Sequence, residues 1–306
     1  MKIAFSAFVV FAFLLMPHNA MASSSCGGSS IEGIKGLKDA VVLKDKTILG
    51  YSKIHINIDG YGKAYHPKNA DAGALIHLCN AGEVNLPDGK KYDGSVSNET
   101  CTGKFMQDVA KIKTGEWKDP SIGAVRWYGI LGKESAKIHG EVVKGVVPVE
   151  QADGSGFFVS PTTLADTTIS DVAVQRRYVH PLRVPAAVIP NNATLSENGV
   201  VMGSFGVAIR KDKKIAVPFV VGDGGPRVGE GTPALARALE GLPITDNVTR
   251  KNRFAGQQES GVLWVFFGKN IQPAEYKADH EADMVKASQD AFAKWGGQKR
   301  LEDCLK

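Results

Sequence analysis

Two apolar runs, Phe205–Ile209 and Ile215–Val221, flank the charged tetrapeptide Lys211-Asp212-Lys213-Lys214. Short runs joined by a solvated turn read as a β-hairpin. The pattern recurs at Val41–Leu49, Ile54–Ile58, Ala124–Leu131, Val142–Val149, Gly156–Pro161, Val184–Ile189 and Val262–Phe267, with Pro185 and Pro190 marking Val184–Ile189 as an edge or short strand. In the second of these, Ile54, Ile56 and Ile58 alternate with His55 and Asn57, which is the period of a half-buried strand. Helix signals are few. Thr232-Pro233 is a cap followed by a first-turn proline, Ala234–Leu239 continues it, and Gly241 ends it. A second helix is expected over Ala274–Trp295, stopped by Gly296-Gly297. Its partial apolar stripe of Ala282, Val285, Ala291 and Phe292 suits surface packing. Many short strands with few helices predict a mainly β chain, a single β-barrel domain with a few helices including one at the C-terminus.

The N-terminal residues read as a leader. Met1-Lys2 supplies a charge, Ile3–Met16 is apolar except for Ser6, and Ala20-Met21-Ala22 forms a small-x-small cleavage site. The apolar run falls short of the roughly 20 residues a spanning helix needs. Residues 1–22 are therefore expected to be removed and the protein to be secreted or periplasmic, with no stable membrane insertion afterwards. Cys26 ahead of Gly27-Gly28-Ser29-Ser30 offers a lipid-anchored alternative. Pro and Gly are scattered and no repeat is visible, so residues 23–273 read as one domain and 274–306 as a helical extension. Four cysteines in an exported chain favour disulfides. Cys79–Cys101 with Cys26–Cys304 is one of three pairings they allow. None has zinc-site spacing, and no metal or cofactor is expected. The formal net charge is +5, with both signs interspersed. That argues against a nucleic-acid partner and suits an anionic wall polymer better than a cationic one. A monomer is expected.

Chemistry concentrates between Gly222 and Thr232. A buried strand delivers Asp223 to its end, a Gly- and Pro-rich turn follows, and Glu230 stands between Gly229 and Gly231 just before the capped helix. Two carboxylates at the ends of a short turn can face each other across a cleft. Glycoside cleavage requires such a pair, one acid to protonate the leaving oxygen and one carboxylate to activate water or attack directly. The alternative is a structural turn residue and a helix-end charge.

The segment resembles the characteristic motif of glycoside hydrolase family 75, the fungal-type chitosanases, whose two essential acids match Asp223 and Glu230. Ile56-Asn57-Ile58-Asp59-Gly60 is similar to the family's early Asp-rich strand and turn, with Asn57 at its first acidic position. Three further blocks follow in the family's order: Phe158–Asp166, Arg176-Arg177-Tyr178-Val179-His180, and Val184–Pro190. The resemblance covers roughly residues 50–242. Seven steps separate the two acids, fewer than in the fungal enzymes. The arrangement also looks like the double-psi β-barrels of expansins and certain lytic transglycosylases, in which the later acid commonly donates the proton. The resemblance implies a double-psi barrel that is an endo-acting, inverting glycosidase on chitosan or a related β-1,4 aminosugar polymer. Glu230 would be the acid and Asp223 the base.

Asp166, Asp171, Arg177 and Tyr178 fall in the family-like middle region and are candidates for sugar binding, against structural roles as caps or ion pairs. Asn57–Gly62 has some likeness to a calcium loop. Position twelve is Lys68 rather than a carboxylate, so an Asx turn is the simpler reading. Trp117, Trp127 and Trp264 read as core, and His77 beside Cys79 invites a weak metal reading. Asn98-Glu99-Thr100, Asn192-Ala193-Thr194 and Asn247-Val248-Thr249 are glycosylation sequons. Two other functions remain open, a peptidoglycan-cleaving glycosidase or lytic enzyme and a non-catalytic wall-binding barrel.

Overall fold

A computed structural model of the chain describes residues 26–94, 97 and 100–305. The expected leader and Asn98-Glu99 of the first sequon lie outside the described residues. Three strands come first: β1 (Gly28–Ser30), β2 (Lys38–Leu43) and β3 (Ile48–Ile56). A long excursion then carries β4 (Gly82–Asn85), β5 (Lys91–Asp93), α1 (Phe105–Thr114), β6 (Ala124–Trp127), β7 (Gly132–Ile138) and β8 (Glu141–Pro148). The chain returns through β9 (Ala186–Ile189), α2 (Ala193–Glu197), β10 (Phe205–Arg210) and β11 (Ile215–Gly224). It continues with β12 (Glu230–Gly231), α3 (Pro233–Glu240) and β13 (Gln258–Phe266), and ends in α4 (Glu281–Trp295) and α5 (Gly297–Leu305).

Six strands close a mixed barrel in the order β3-β12-β9-β11-β10-β13, with β13 pairing back onto β3. Pairs β3–β12 and β9–β11 are parallel and the other four antiparallel. The expected hairpin is β10–β11, registered from Phe205↔Val220 to Arg210↔Ile215. Alternation separates two cores. Ile54, Phe219, Val221, Val262, Trp264 and Phe266 fill the interior, where the Phe219 ring meets Trp264 and Phe266 edge-on at 5.5 Å each. Gly206 makes room for that ring, since a Cβ there would stand 2.4 Å from Phe219. Phe205, Val207, Ile209, Leu263 and Val265 face outward under α4, which buries Met284, Ala291 and Trp295 against them. Each of the Val, Leu, Ile, Phe and Met side chains among these contributes about 1.5–3 kcal/mol through burial.

The excursion between β3 and β9 builds its own core from Leu78, Val84, Phe105, Ile112, Trp127 and Phe158 around the sheet β5-β4-β6 and α1. Cys79–Cys101 staples it, and Cys26–Cys304 ties the N-terminal strand to α5. This pairing decides among the three and also removes the lipid-anchor alternative, because the Cys26 sulfur is already bonded. No helix among the described residues is long and apolar enough to cross a membrane.

The strand expected over Val41–Leu49 is two strands. Asp45 accepts from the Thr47 amide at 3.2 Å and Lys46 takes φ 71°, so a tight turn separates β2 from β3. Gly156–Pro161 makes only an isolated bridge, Glu150↔Phe158. Helix α4 starts at Glu281 rather than Ala274, because the Ala274 and Ala278 amides are held outside it by Gly203 O and Asp166 Oδ2, both at 2.9 Å. Gly296-Gly297 turns the chain into α5 instead of ending the helical region.

Helix α3 begins as expected. Thr232 Oγ1 accepts from Leu235 N at 3.3 Å and Ala186 N at 3.0 Å, and donates to Val184 O at 2.8 Å. One hydroxyl thus caps a helix and fixes β9. Thr232→Ala is expected to cost about 2 kcal/mol, seen as a fall in Tm of about 5 °C, while Thr232→Ser retains most of the stability. Thermal denaturation of the two variants checks this.

Candidate active site

Asp223, Val188, Glu230 and His55 stand side by side on four neighbouring strands. The register pairs Asp223 with Val188, Val188 with Glu230, and Glu230 with His55. Registered partners project from the same side, and Ala187, Ile189, Val221 and Ile54 take the other side as barrel interior. The row therefore lies on the outside of the barrel, beneath the excursion. Two strand spacings of about 4.8 Å each set the Asp223 and Glu230 backbones roughly 10 Å apart.

A bulge puts Asp223 there. Val221 pairs with Ala187 and Asp223 with Val188, leaving Gly222 as the extra residue. Without the bulge Asp223 would follow Val221 into the barrel. Gly222 also fits the close packing, since a Cβ would stand 2.9 Å from that of Ala186. The turn that follows is pinned at Gly225 N to Ile189 O and at Val228 N to Lys35 O, 2.9 Å each. Gly229 takes φ 116° as the chain enters β12.

The two acids have different surroundings. Asp223 Oδ1 accepts from Thr163 N, Thr163 Oγ1 and Gly224 N, each at 2.8 Å, and Oδ2 accepts from Asn57 Nδ2 at 3.4 Å. Burial pushes its carboxyl above the ordinary value, and these hydrogen bonds pull the other way. Glu230 accepts no hydrogen bond from the described residues. Burial raises its carboxyl too, opposed by the charges of Arg227, Lys53 and His55 and reinforced by Asp223.

A third carboxyl joins them. Asp59 Oδ1 accepts from Tyr65 OH and Ser160 Oγ at 3.1 Å each. Burial, with the neighbouring Asp223 charge and more weakly that of Glu230, drives Asp59 well above the usual carboxylate range against those two bonds. Asn57, Asp59, Thr162, Val188, Asp223 and Thr232 line a recess of about 10 Å³, room for one water molecule.

The other four candidate residues are elsewhere, and their polar groups brace the loop they belong to. Asp166 accepts from Thr168 N, Thr168 Oγ1 and Ala278 N, which hold its carboxyl down at about 2. Arg177 donates to the carbonyls of Asp166 and Ile169, Tyr178 to that of Val172, and Asp171 accepts from Ala173 N. None of the four lines the recess. The same region supplies Thr163 and Ser160 instead. Asp59 is the site residue that sequence reasoning treated as a turn. The turn exists, with Asp59 N donating to Asn57 Oδ1 at 2.7 Å. The signal for a second role was its phase, because Asn57 and Asp59 continue the polar face that begins at Lys53 and His55. Trp127 and Trp264 are buried, Trp117 packs edge-on against Trp127 at 6.1 Å, and His77 Nε2 lies 2.8 Å from Arg250 Nη2.

A raised folded-state pKa means Asp59 binds its proton more tightly in the folded chain than in the unfolded one. Its contribution to stability is present in full below the unfolded value, near 3.9, and is lost as pH rises through the folded value. Asp59→Asn keeps the acceptor for Tyr65 and Ser160 and cannot ionise. Its Tm is expected to gain on wild type by about 3 °C or more between pH 4 and pH 7, measured by calorimetry at both pH values.

No protein-family model matches the chain, and no curated protein matches it in sequence.

Proposed function

We propose that the chain is an exported glycoside hydrolase that cleaves β-1,4 linkages of an aminosugar polymer with inversion at the anomeric carbon. The observation that carries this reading is the row Asp223–Val188–Glu230, which sets two carboxyls on one face, two strands apart. A backbone separation of roughly 10 Å is compatible with the 6.5–9.5 Å between carboxyls that leaves room for a water beneath the sugar. Strand order and the two parallel pairs support a double-psi barrel, and the family 75 resemblance supports the same pair of acids. Two disulfides suit an oxidising compartment.

The surroundings of the two acids support a division of roles. Four donors to Asp223 favour its ionised form, which suits a base. Glu230 is half-buried without a donor and suits an acid that holds its proton. Asp223 takes a proton from the water as the water oxygen bonds to the anomeric carbon. Glu230 gives its proton to the departing oxygen as the glycosidic bond breaks. Asp59, donating from its protonated oxygen, would orient the water in the shared recess. No cofactor is required.

Glu230→Gln and Asp223→Asn are each expected to lower release of reducing ends by about 10²–10⁴-fold, with circular dichroism unchanged. NMR of early product should show the α anomer. Full activity in either variant, or none in wild type on chitosan or peptidoglycan glycan, would leave a wall-binding barrel as the better reading. The alkaline limb reports Glu230. Lys53→Gln removes a charge that favours ionised Glu230, so this limb should move up by about half a unit, read from kcat/KM against pH.

A further inference from the structure

The two acids sit at opposite ends of a charge gradient. Lys53, His55, Asn57 and Asp59 follow one another with strand period along one side of β3 and the turn after it. At the far end Asp59 and Asp223 lie among Asn57, Thr162 and Thr163, and among the described residues no cation is hydrogen-bonded to either acid. At the near end cations surround Glu230. Lys53 Nζ lies 2.8 Å from His55 Nδ1, and its alkyl chain passes beside Gly229, where a Cβ would stand 3.0 Å from Lys53 Cγ. Arg227 is exposed in the turn leading to Glu230. Neither Lys53 nor Arg227 forms an ion pair among the described residues. Glu259 is also at this end, 2.8 Å from His55 Nε2, and the Lys53 charge acts on it as well.

A general acid is neutral when it is ready to act. With Glu230 protonated, Arg227 presents a positive charge with no ion-pair partner among the described residues, while Lys53 shares the Glu259 carboxylate through His55. We propose that the sugar bound on the Glu230 side of the scissile bond carries a carboxylate, which makes the substrate an anionic aminosugar polymer such as a peptidoglycan glycan strand freed of its peptides, whose lactyl carboxyls are then ionised. Chitosan would place an ammonium group there, against like charge. The chain's net charge of +5 acts in the same direction at longer range. This inference rests on the glycosidase reading.

The test compares three polymers: peptidoglycan glycan strands freed of peptide, the same strands with carboxyls reduced to alcohols, and chitosan. Wild type should cleave the carboxylate strands with a kcat/KM about tenfold above the reduced strands, an advantage that shrinks in 0.5 M salt. Arg227→Gln should cut that advantage severalfold, chiefly through KM. Equal rates on the two strands, a preference for chitosan, or an Arg227→Gln loss that is the same on both strands would overturn the inference while leaving the glycosidase reading intact. The last result would mean that the cations serve Glu230 alone. If no polymer is cleaved the glycosidase reading fails. Retention of Glu230→Gln on the three polymers in affinity electrophoresis then decides the charge preference separately, with carboxylate strands expected to be held longest and equal retention counting against it.

Discussion

Strand β9 is the part on which the site depends. Its four residues, Ala186–Ile189, are all buried, and they pair with β11 on one side and β12 on the other. Both acids take their position from Val188. The strand is held at each end by the segment that carries those acids, through the Thr232 hydroxyl and amide near Ala186 and through Gly225 N to Ile189 O. A slip of one residue in β9 would exchange its faces and turn Val188 inward. Barrel closure and the Thr232 bonds oppose that slip together.

Two bodies of structure contribute to the site in different ways. The barrel supplies Asp223, Glu230 and the cations on rigid strands, where side-chain positions are set by register. The excursion lays Thr162, Thr163, Ser160 and Tyr65 over them, and supplies most of the donors that make three nearby carboxyls tolerable. Crowding acids is unfavourable, because each charge disfavours the next and burial disfavours all of them. The aromatic interior of Phe219, Trp264 and Phe266 is the kind of burial that offsets such a cost.

Local physics was legible in the sequence and long-range register was not. The β10–β11 hairpin, the Thr232 cap and the Asx turn at Asn57 each depend on residues a few positions apart, and each stands where residue chemistry placed it. The Asp45 turn is equally local but hidden inside an apolar run. The row Asp223–Val188–Glu230–His55 joins residues up to 175 positions apart, through a bulge at Gly222 that no periodicity announces. Asp59 is hidden in the sequence for the same reason, since a turn residue joins the two acids only when β11 is brought beside it. The loop that holds Asp166 and Arg177 reads as substrate-binding through its resemblance to the family's middle region. In the fold Arg177, Tyr178 and Asp171 bond backbone groups of the loop itself, and Asp166 also accepts from the Ala278 amide ahead of α4.

The difference between Asp223 and Glu230 follows from which segments cover them. Asp223 lies under the excursion, whose Thr163 offers both an amide and a hydroxyl to one oxygen. Glu230 lies one strand beyond Val188, where the covering donors stop and the charges of Arg227 and Lys53 begin. Hydrogen bonds and charges both favour an ionised carboxyl, but they act at different ranges. The bonds hold Asp223 in one orientation, whereas the cations leave the Glu230 carboxyl free to turn toward a ligand. In the proposed reaction this allows the base to be fixed and the acid to be mobile. The same cations would ease proton release from Glu230 and draw an anionic sugar to it. Their placement on the far side of Val188 from Asp223 keeps them from favouring the ionised form of both acids equally.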